Sequence, residues 1–161
     1  MQIYYIIIFF IFGIVFGSFF NVVGYRLPKD MSIAYPSSHC PNCKHKLNAL
    51  DLIPIFSYLF AGGKCRYCKK KISIFYIIIE LLTGLLFVLT YLVFGLSINT
   101  IIILLFVSMT IILILSDILY MIIPDSVLIV FGLLILIIKI AIGINIPLMI
   151  LDILIPFSFM Y

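Results

Sequence analysis

Four cysteines carry the clearest chemistry in this sequence. They stand as Cys40-Pro41-Asn42-Cys43 and Cys65-Arg66-Tyr67-Cys68, two C-x-x-C knuckles with twenty-one residues between them. Paired knuckles at that separation let two hairpin-like turns bring four thiolates onto one tetrahedral ion. Zinc is the expected occupant, in a closed structural shell that leaves no position for a substrate. The alternatives are a pair of disulfides or four unrelated thiols. Disulfides need an oxidising compartment, and the charge pattern below puts this loop in the cytoplasm. His39 and His45 flank the first knuckle; with four cysteines completing the shell, they read as solvated loop residues.

Carboxylates are the second candidate group. Glu80, Asp117 and Asp152 lie in or beside long apolar runs. A carboxylate at the bilayer centre costs about 2.5–3.5 kcal/mol, so each needs a partner, a cavity or a shallow position. Asp117 stands in Ser116-Asp117-Ile118-Leu119-Tyr120-Met121-Ile122-Ile123-Pro124-Asp125. Such an acid, followed two turns later by a helix break, can line a water-filled pocket; the plainer reading is a carboxylate snorkelling to the headgroups or pairing with a loop lysine. Alone it would serve as a proton relay. Beside a second carboxylate it would make an aspartic protease, because two close carboxyls share one proton and can activate a water. No second partner is evident in residues 1–161. Asp125 reads as the N-cap of the next helix, Asp152 lies at the other membrane depth, and Glu80 reads as an ion pair with the basic loop.

The elements that must position these groups follow from composition. Of 161 residues, 66% are hydrophobic and 10% are charged, against about 25% charged in a soluble domain. Runs this apolar are hidden in lipid. The expected fold is an all-α polytopic membrane protein of about five transmembrane helices, the fifth truncated, with a small cytoplasmic zinc-binding loop domain. The spans are read at residues 3–24, 74–94, 100–116, 127–144 and, incomplete, 147–161. That last run is too short to cross a bilayer, and the chain is expected to be part of a longer protein. Nine of the ten basic residues lie between Arg26 and Lys71. The positive-inside rule therefore places that loop in the cytoplasm and the N-terminus outside. Contact with anionic lipid headgroups is the expected use of the lysines, and no nucleic-acid partner is expected. Residues 47–60, apolar but too short to span, read as an interfacial segment or as the small core of the zinc module. The expected domains are residues 1–25, a first transmembrane helix; 26–73, the zinc-knuckle loop; and 74–161, the remaining spans.

The small and polar residues Gly17-Ser18-Phe19 and Asn21-Val22-Val23 suit close helix packing. Together with Tyr25-Arg26-Leu27-Pro28 they also resemble the N-terminal signature of the type IV prepilin peptidases. The two knuckles flanking Asp51-Leu52-Ile53-Pro54-Ile55-Phe56-Ser57-Tyr58 are similar to that family's cytoplasmic domain, as are Gly63-Lys64-Cys65-Arg66-Tyr67-Cys68, Ile72-Ser73 and residues 76–80. Asp117 with Pro124-Asp125 resembles the segment that holds the first catalytic aspartate. The resemblance implies a membrane aspartic endopeptidase that cuts the leader from prepilin-like precursors after a glycine. It would then methylate the new N-terminus with S-adenosylmethionine. It implies Asp117 as one half of the catalytic pair, with Cys40, Cys43, Cys65 and Cys68 on the metal. Glu80 and Asp51 are its candidates for the methyl-transfer, cofactor-binding region. The family's second aspartate belongs to a G-x-G-D motif on a later helix, and these residues contain no such motif. The competing expectation is a non-enzymatic membrane scaffold whose zinc module binds a cytoplasmic partner. A proton-coupled carrier would need more paired intramembrane charges than the chain has.

Overall fold

The computed structural model describes residues 1–40 and 42–143. Among these the regular structure is helical, with two isolated β-bridges in the loop that carries the cysteines. Four long apolar helices dominate: α1 (Gln2–Arg26), α3 (Phe75–Phe94), α4 (Ile98–Tyr120) and α5 (Asp125–Ala141). A short helix, α2 (Phe56–Phe60), lies in the loop between the first two. The helices α1, α3 and α4 are each long and apolar enough to cross a membrane. At 17 residues, α5 extends about 25 Å at the usual rise. The expected all-α membrane architecture with its cysteine-bearing loop module is what the chain adopts. The expected fifth span and Asp152 lie outside the described residues.

Small residues set how closely α1 and α3 approach. A Cβ on Gly13 would lie 2.6 Å from the Gly84 Cα, and one on Gly17 would lie 2.9 Å from the Glu80 Cα. The two antiparallel backbones are therefore in contact, as the small-residue run suggested. Rings extend the seam toward the other end, where Phe9 stacks on Tyr91 at 4.8 Å between centroids. Asn21 closes the near end by donating its Nδ2–H to the Tyr76 carbonyl at 3.1 Å. Phe20, Val23, Ile79, Phe87, Ile112 and Leu115 then form the buried core where α1, α3 and α4 meet. Gly13→Leu is expected to destabilise this bundle by about 1–3 kcal/mol, since the added branch has only backbone to displace. Thermal unfolding in detergent should register it, with Gly132→Leu on α5 as the control, where nothing lies within 4 Å.

Local signals end each helix where the sequence changes character. Gly95, at φ 62°, stops α3, and the Ser97 hydroxyl caps α4 by accepting the Thr100 N–H at 3.3 Å. At its far end α4 closes on Met121, whose left-handed backbone returns an N–H to the Asp117 carbonyl at 2.7 Å. Asp125 is not the N-cap expected for the next helix. Asp125 is the first residue of α5, and Pro124 occupies the N-cap with no side-chain capping bond. The extended ψ of Pro124 (114°) already turns the chain into the helix. Asp125 thus acts one position later, as a first-turn acid favoured by the helix dipole.

Of the two readings of residues 47–60, the small core does not form. The segment folds as a 3-10 turn (Ala49–Leu52) followed by α2. Its side chains Leu50, Leu52, Ile53, Phe56, Leu59 and Phe60 all stay exposed.

Candidate metal centre and the carboxylates around it

The two knuckles fold alike, residue for residue. In the first, the Cys40 N–H donates to the His45 carbonyl at 3.0 Å and the Lys44 N–H donates back to the Cys40 carbonyl at 2.8 Å. In the second, the Cys65 N–H donates to the Lys70 carbonyl and the Lys69 N–H to the Cys65 carbonyl, both at 2.9 Å. Lys44 and Lys69 take matching left-handed conformations, at φ 55° and 60°. Each turn is closed by one antiparallel bridge, His39 with Lys46 and Lys64 with Lys71. The repeat is invisible in the letters, because backbone hydrogen bonds rather than side chains define it.

This pairing brings all four sulfurs within 4.8 Å of one another. Cys40 and Cys65 are buried, and Cys43 is exposed. The four thiols are free, and the Cys40 and Cys68 sulfurs lie 3.8 Å apart, well beyond a disulfide bond of about 2.05 Å. Four sulfurs at the corners of a tetrahedron with zinc–sulfur bonds of about 2.3 Å would sit about 3.8 Å apart. The donor set and its spacing therefore fit a tetrahedral thiophilic cation. Electrostatics agree. The backbone N–H of Cys43 is the largest influence on the Cys40 thiol and lowers its pKa to about 6. Although the His45 N–H stabilises the Cys43 thiolate, desolvation and the neighbouring cysteines raise its pKa to about 11. The Cys43 and Asn42 N–H groups thus favour the charged form of the Cys40 sulfur, the form that ligates a metal.

Side chains outside the shell tie the knuckles together. Asp51 forms a salt bridge to Arg66 at 3.3 Å and accepts the Asn48 N–H at 3.2 Å in a capping box. The Tyr67 hydroxyl is 3.4 Å from the same carboxylate, and desolvation, then the Asp51 charge, raise the Tyr67 pKa. The His45 ring lies over Tyr67 with centroids 3.6 Å apart, a contact between knuckles that the solvated-loop reading of His45 missed. Its signal was there in the aromatic residue inside the second C-x-x-C.

The carboxylate of Glu80 sits elsewhere, on the buried face of α3. It accepts the Ile55 N–H at 2.8 Å, so the ion pair expected with the basic loop is replaced by a bond to loop backbone. Ile55 has φ 61° and ψ −54°, a region that a β-branched residue seldom occupies. Such strain costs on the order of 1–3 kcal/mol, and the hydrogen bond to Glu80 offsets part of it. Asp51 and Glu80 are therefore each engaged by groups of the loop, Asp51 by Arg66 and the Asn48 N–H and Glu80 by the Ile55 N–H.

Asp117 lies in the last turn of α4 with its side chain exposed. Among the described residues no ion pair engages it. A cation does anchor the helix end beside it: the Lys29 ammonium lies 4.4 Å from the Tyr25 ring centroid and 4.8 Å from that of Tyr120. This clamp joins the ends of α1 and α4. The i, i+4 spacing of Tyr25 and Lys29 hinted at half of it, but nothing local pointed to Tyr120. A cavity of about 100 Å³, lined by Asn21, Ser73, Phe75, Tyr76, Leu115 and Leu119, lies between the helices; that is room for ordered water rather than for a peptide segment.

Comparison with known proteins places this arrangement. The model of the family described as the bacterial peptidase A24 N-terminal domain matches residues 11–94, from mid-α1 through the knuckle loop to the end of α3. The prepilin leader peptidase/N-methyltransferase of Bacillus subtilis (strain 168) is 43% identical over 124 residues, covering 77% of this chain and 50% of the relative. The protein of that name from Myxococcus xanthus (strain DK1622) is 49% identical over 78 residues, 48% of this chain and 23% of its own. The one from Vibrio cholerae (strain ATCC 39315 / El Tor Inaba N16961) is 43% identical over 89 residues, 50% of this chain and 35% of its own. The chain thus spans at most about half the length of these curated relatives. No solved structure matches it. With a family model matched across more than half of its residues and three helices able to cross a bilayer, this multi-pass membrane protein belongs to the bacterial peptidase A24 N-terminal domain family.

Proposed function

We propose that this chain is the metal-binding, first-aspartate portion of a prepilin leader peptidase/N-methyltransferase. It would remove the leader of type IV prepilin-like precursors at the cytoplasmic membrane face and take part in methylating the new N-terminus. The observation that carries the reading is the 43% identity to a prepilin leader peptidase over 124 residues, in a chain whose four cysteine sulfurs converge. The division into a first helix (residues 1–25), a knuckle loop (26–73) and a helical peptidase portion (74–161) belongs to the same proposal.

Asp117 is the residue proposed to act on the scissile bond. An exposed carboxylate at a helix end can meet both water and an extended precursor. Paired with a second carboxyl from a later segment, it would share a single proton, because repulsion raises one of the two pKa values. The ionised partner would then take a proton from the attacking water, and the protonated one would give its proton to the leaving amine. Nine of ten basic residues fall between Arg26 and Lys71, which supports a cytoplasmic knuckle loop and an outside N-terminus.

Cys40, Cys43, Cys65 and Cys68 would hold zinc. When bound, a four-thiolate zinc supplies a structural cross-link and no open coordination position. S-adenosylmethionine would supply the methyl group in the transfer half of the activity. Asp51 and Glu80 are the candidates for the methyl-transfer, cofactor-binding region; each carboxylate keeps lone pairs beyond the bonds it already accepts.

The test is a chimera in which these residues replace the aligned half of the Bacillus subtilis relative. Leader removal from a co-expressed prepilin, followed as a mobility shift, is the expected outcome. A chimera that reaches the membrane, binds its metal and leaves the precursor intact would reject the assignment.

A further inference from the structure

The apolar segment between the knuckles has no core to enter, and one hydrogen bond fixes its depth. Glu80 is the sixth residue of α3 (Phe75–Phe94), about 8 Å along the helix from Phe75. Side chains lean toward a helix N-terminus, so its carboxylate lies roughly one turn inside the span. The Ile55 N–H reaches that carboxylate at 2.8 Å, which places the start of α2 alongside the first turns of α3. From there α2 presents Phe56, Leu59 and Phe60 along one face, as their i, i+3 and i+4 spacing dictates. The rings of Phe56 and Phe60 stack at 6.5 Å, yet Leu59 is 64% and Phe60 80% exposed. Basic residues lie directly alongside. After the turn at Ala61–Gly63, Lys64 pairs with Lys71 in an antiparallel bridge, with Lys69 and Lys70 exposed in the same turn.

We propose that residues 52–60 form a shallow membrane-surface insert, latched to α3 by the Glu80–Ile55 hydrogen bond. Phe56, Leu59 and Phe60 enter the acyl boundary of the adjacent leaflet, and Lys64 and Lys71 meet anionic headgroups. The partner is lipid because both halves of the surface match a bilayer edge: apolar rings at the depth of a helix start, and cations just above them. The charge pattern suits no acidic protein face, since the rings would then be left in water. The insert seats the knuckle lobe against the membrane, so the lobe is held at both its helix connections and its middle. The inference rests on the membrane reading of α1 and α3 and is independent of the peptidase assignment.

The chain contains no tryptophan, so Phe60→Trp introduces a single indole at the point in question. The 161-residue chain carrying it would be reconstituted in phosphatidylcholine–phosphatidylglycerol vesicles, with acyl chains brominated close to the headgroup or close to the tail. Strong quenching by the shallow bromines, weaker quenching by the deep ones and little by aqueous acrylamide is the expected result. Leu59→Trp, on the same face, should repeat it. Adding Glu80→Ala should lower quenching by bromolipid and raise quenching by acrylamide, whereas Glu80→Gln, which keeps an accepting oxygen, should retain most of the parent behaviour. An indole open to acrylamide and untouched by bromine would overturn the insert, and so would one shielded from both, since that would mean a protein cover. Unchanged lipid quenching in Glu80→Ala would overturn the latch.

Discussion

Cys65→Ser is expected to abolish stoichiometric metal retention by the purified protein and to unfold the knuckle lobe while the helices stay intact. The reason lies in what else could hold the lobe. Among the described residues most of its large apolar side chains between the knuckles are exposed rather than packed, and its regular structure amounts to two isolated bridges, short 3-10 turns and one short helix. Few groups are left to offset the entropy of ordering so many residues. A structural zinc site contributes on the order of 10–16 kcal/mol of apparent binding free energy in small zinc modules, so removing one of four ligands removes most of what orders the lobe. Cys65 is the sharper test because it is buried and its backbone closes the second knuckle through Lys69 and Lys70. Elemental analysis should give one zinc per chain for the parent protein and a small fraction of that for the variant. Limited proteolysis should show new cuts confined to residues 30–73. Equal metal content in parent and variant would remove the four-cysteine assignment.

The second large effect belongs to Asp117. In the chimera with the Bacillus subtilis relative, Asp117→Asn should reduce leader removal by about 10²–10⁴-fold, the usual contribution of a positioned acid–base group. Stability should move little, within about 0.5 kcal/mol, because the side chain is exposed and makes no ion pair among the described residues. That split between activity and stability separates a chemical role from a packing one. Asp125→Asn is the matched comparison. It removes a first-turn acid from α5 and is expected to cost about 0.3–1 kcal/mol through the helix dipole with cleavage retained. Loss of cleavage in Asp125→Asn but not in Asp117→Asn would transfer the proposed role to the other carboxylate.

Much of this molecule was legible as a string. Long uncharged runs report transfer free energy, and that quantity is local, so the helices fell within a few residues of their expected bounds. The C-x-x-C pairs were equally legible, since ligand spacing within a tight turn is set by a handful of backbone angles. What the string did not carry was the identity of partners across elements. Nothing in the neighbourhood of Glu80 says that it meets the N–H of Ile55, whose backbone takes a positive-φ conformation that its own side chain disfavours. The same holds for Lys29 between Tyr25 and Tyr120, and for Asn21 on the Tyr76 carbonyl. Such bonds depend on where the packed helices bring their ends: α1 on α3 through Gly13 and Gly17, and α1 on α4 through Gly24 against Leu115. Composition and periodicity thus determined the membrane helices and the set of sulfur donors. Only the packed chain decided which carboxylates are spoken for and which, like Asp117, have no ion pair among the described residues: a buried polar group takes whatever partner the fold delivers, and delivery is a property of three-dimensional proximity rather than of sequence neighbours.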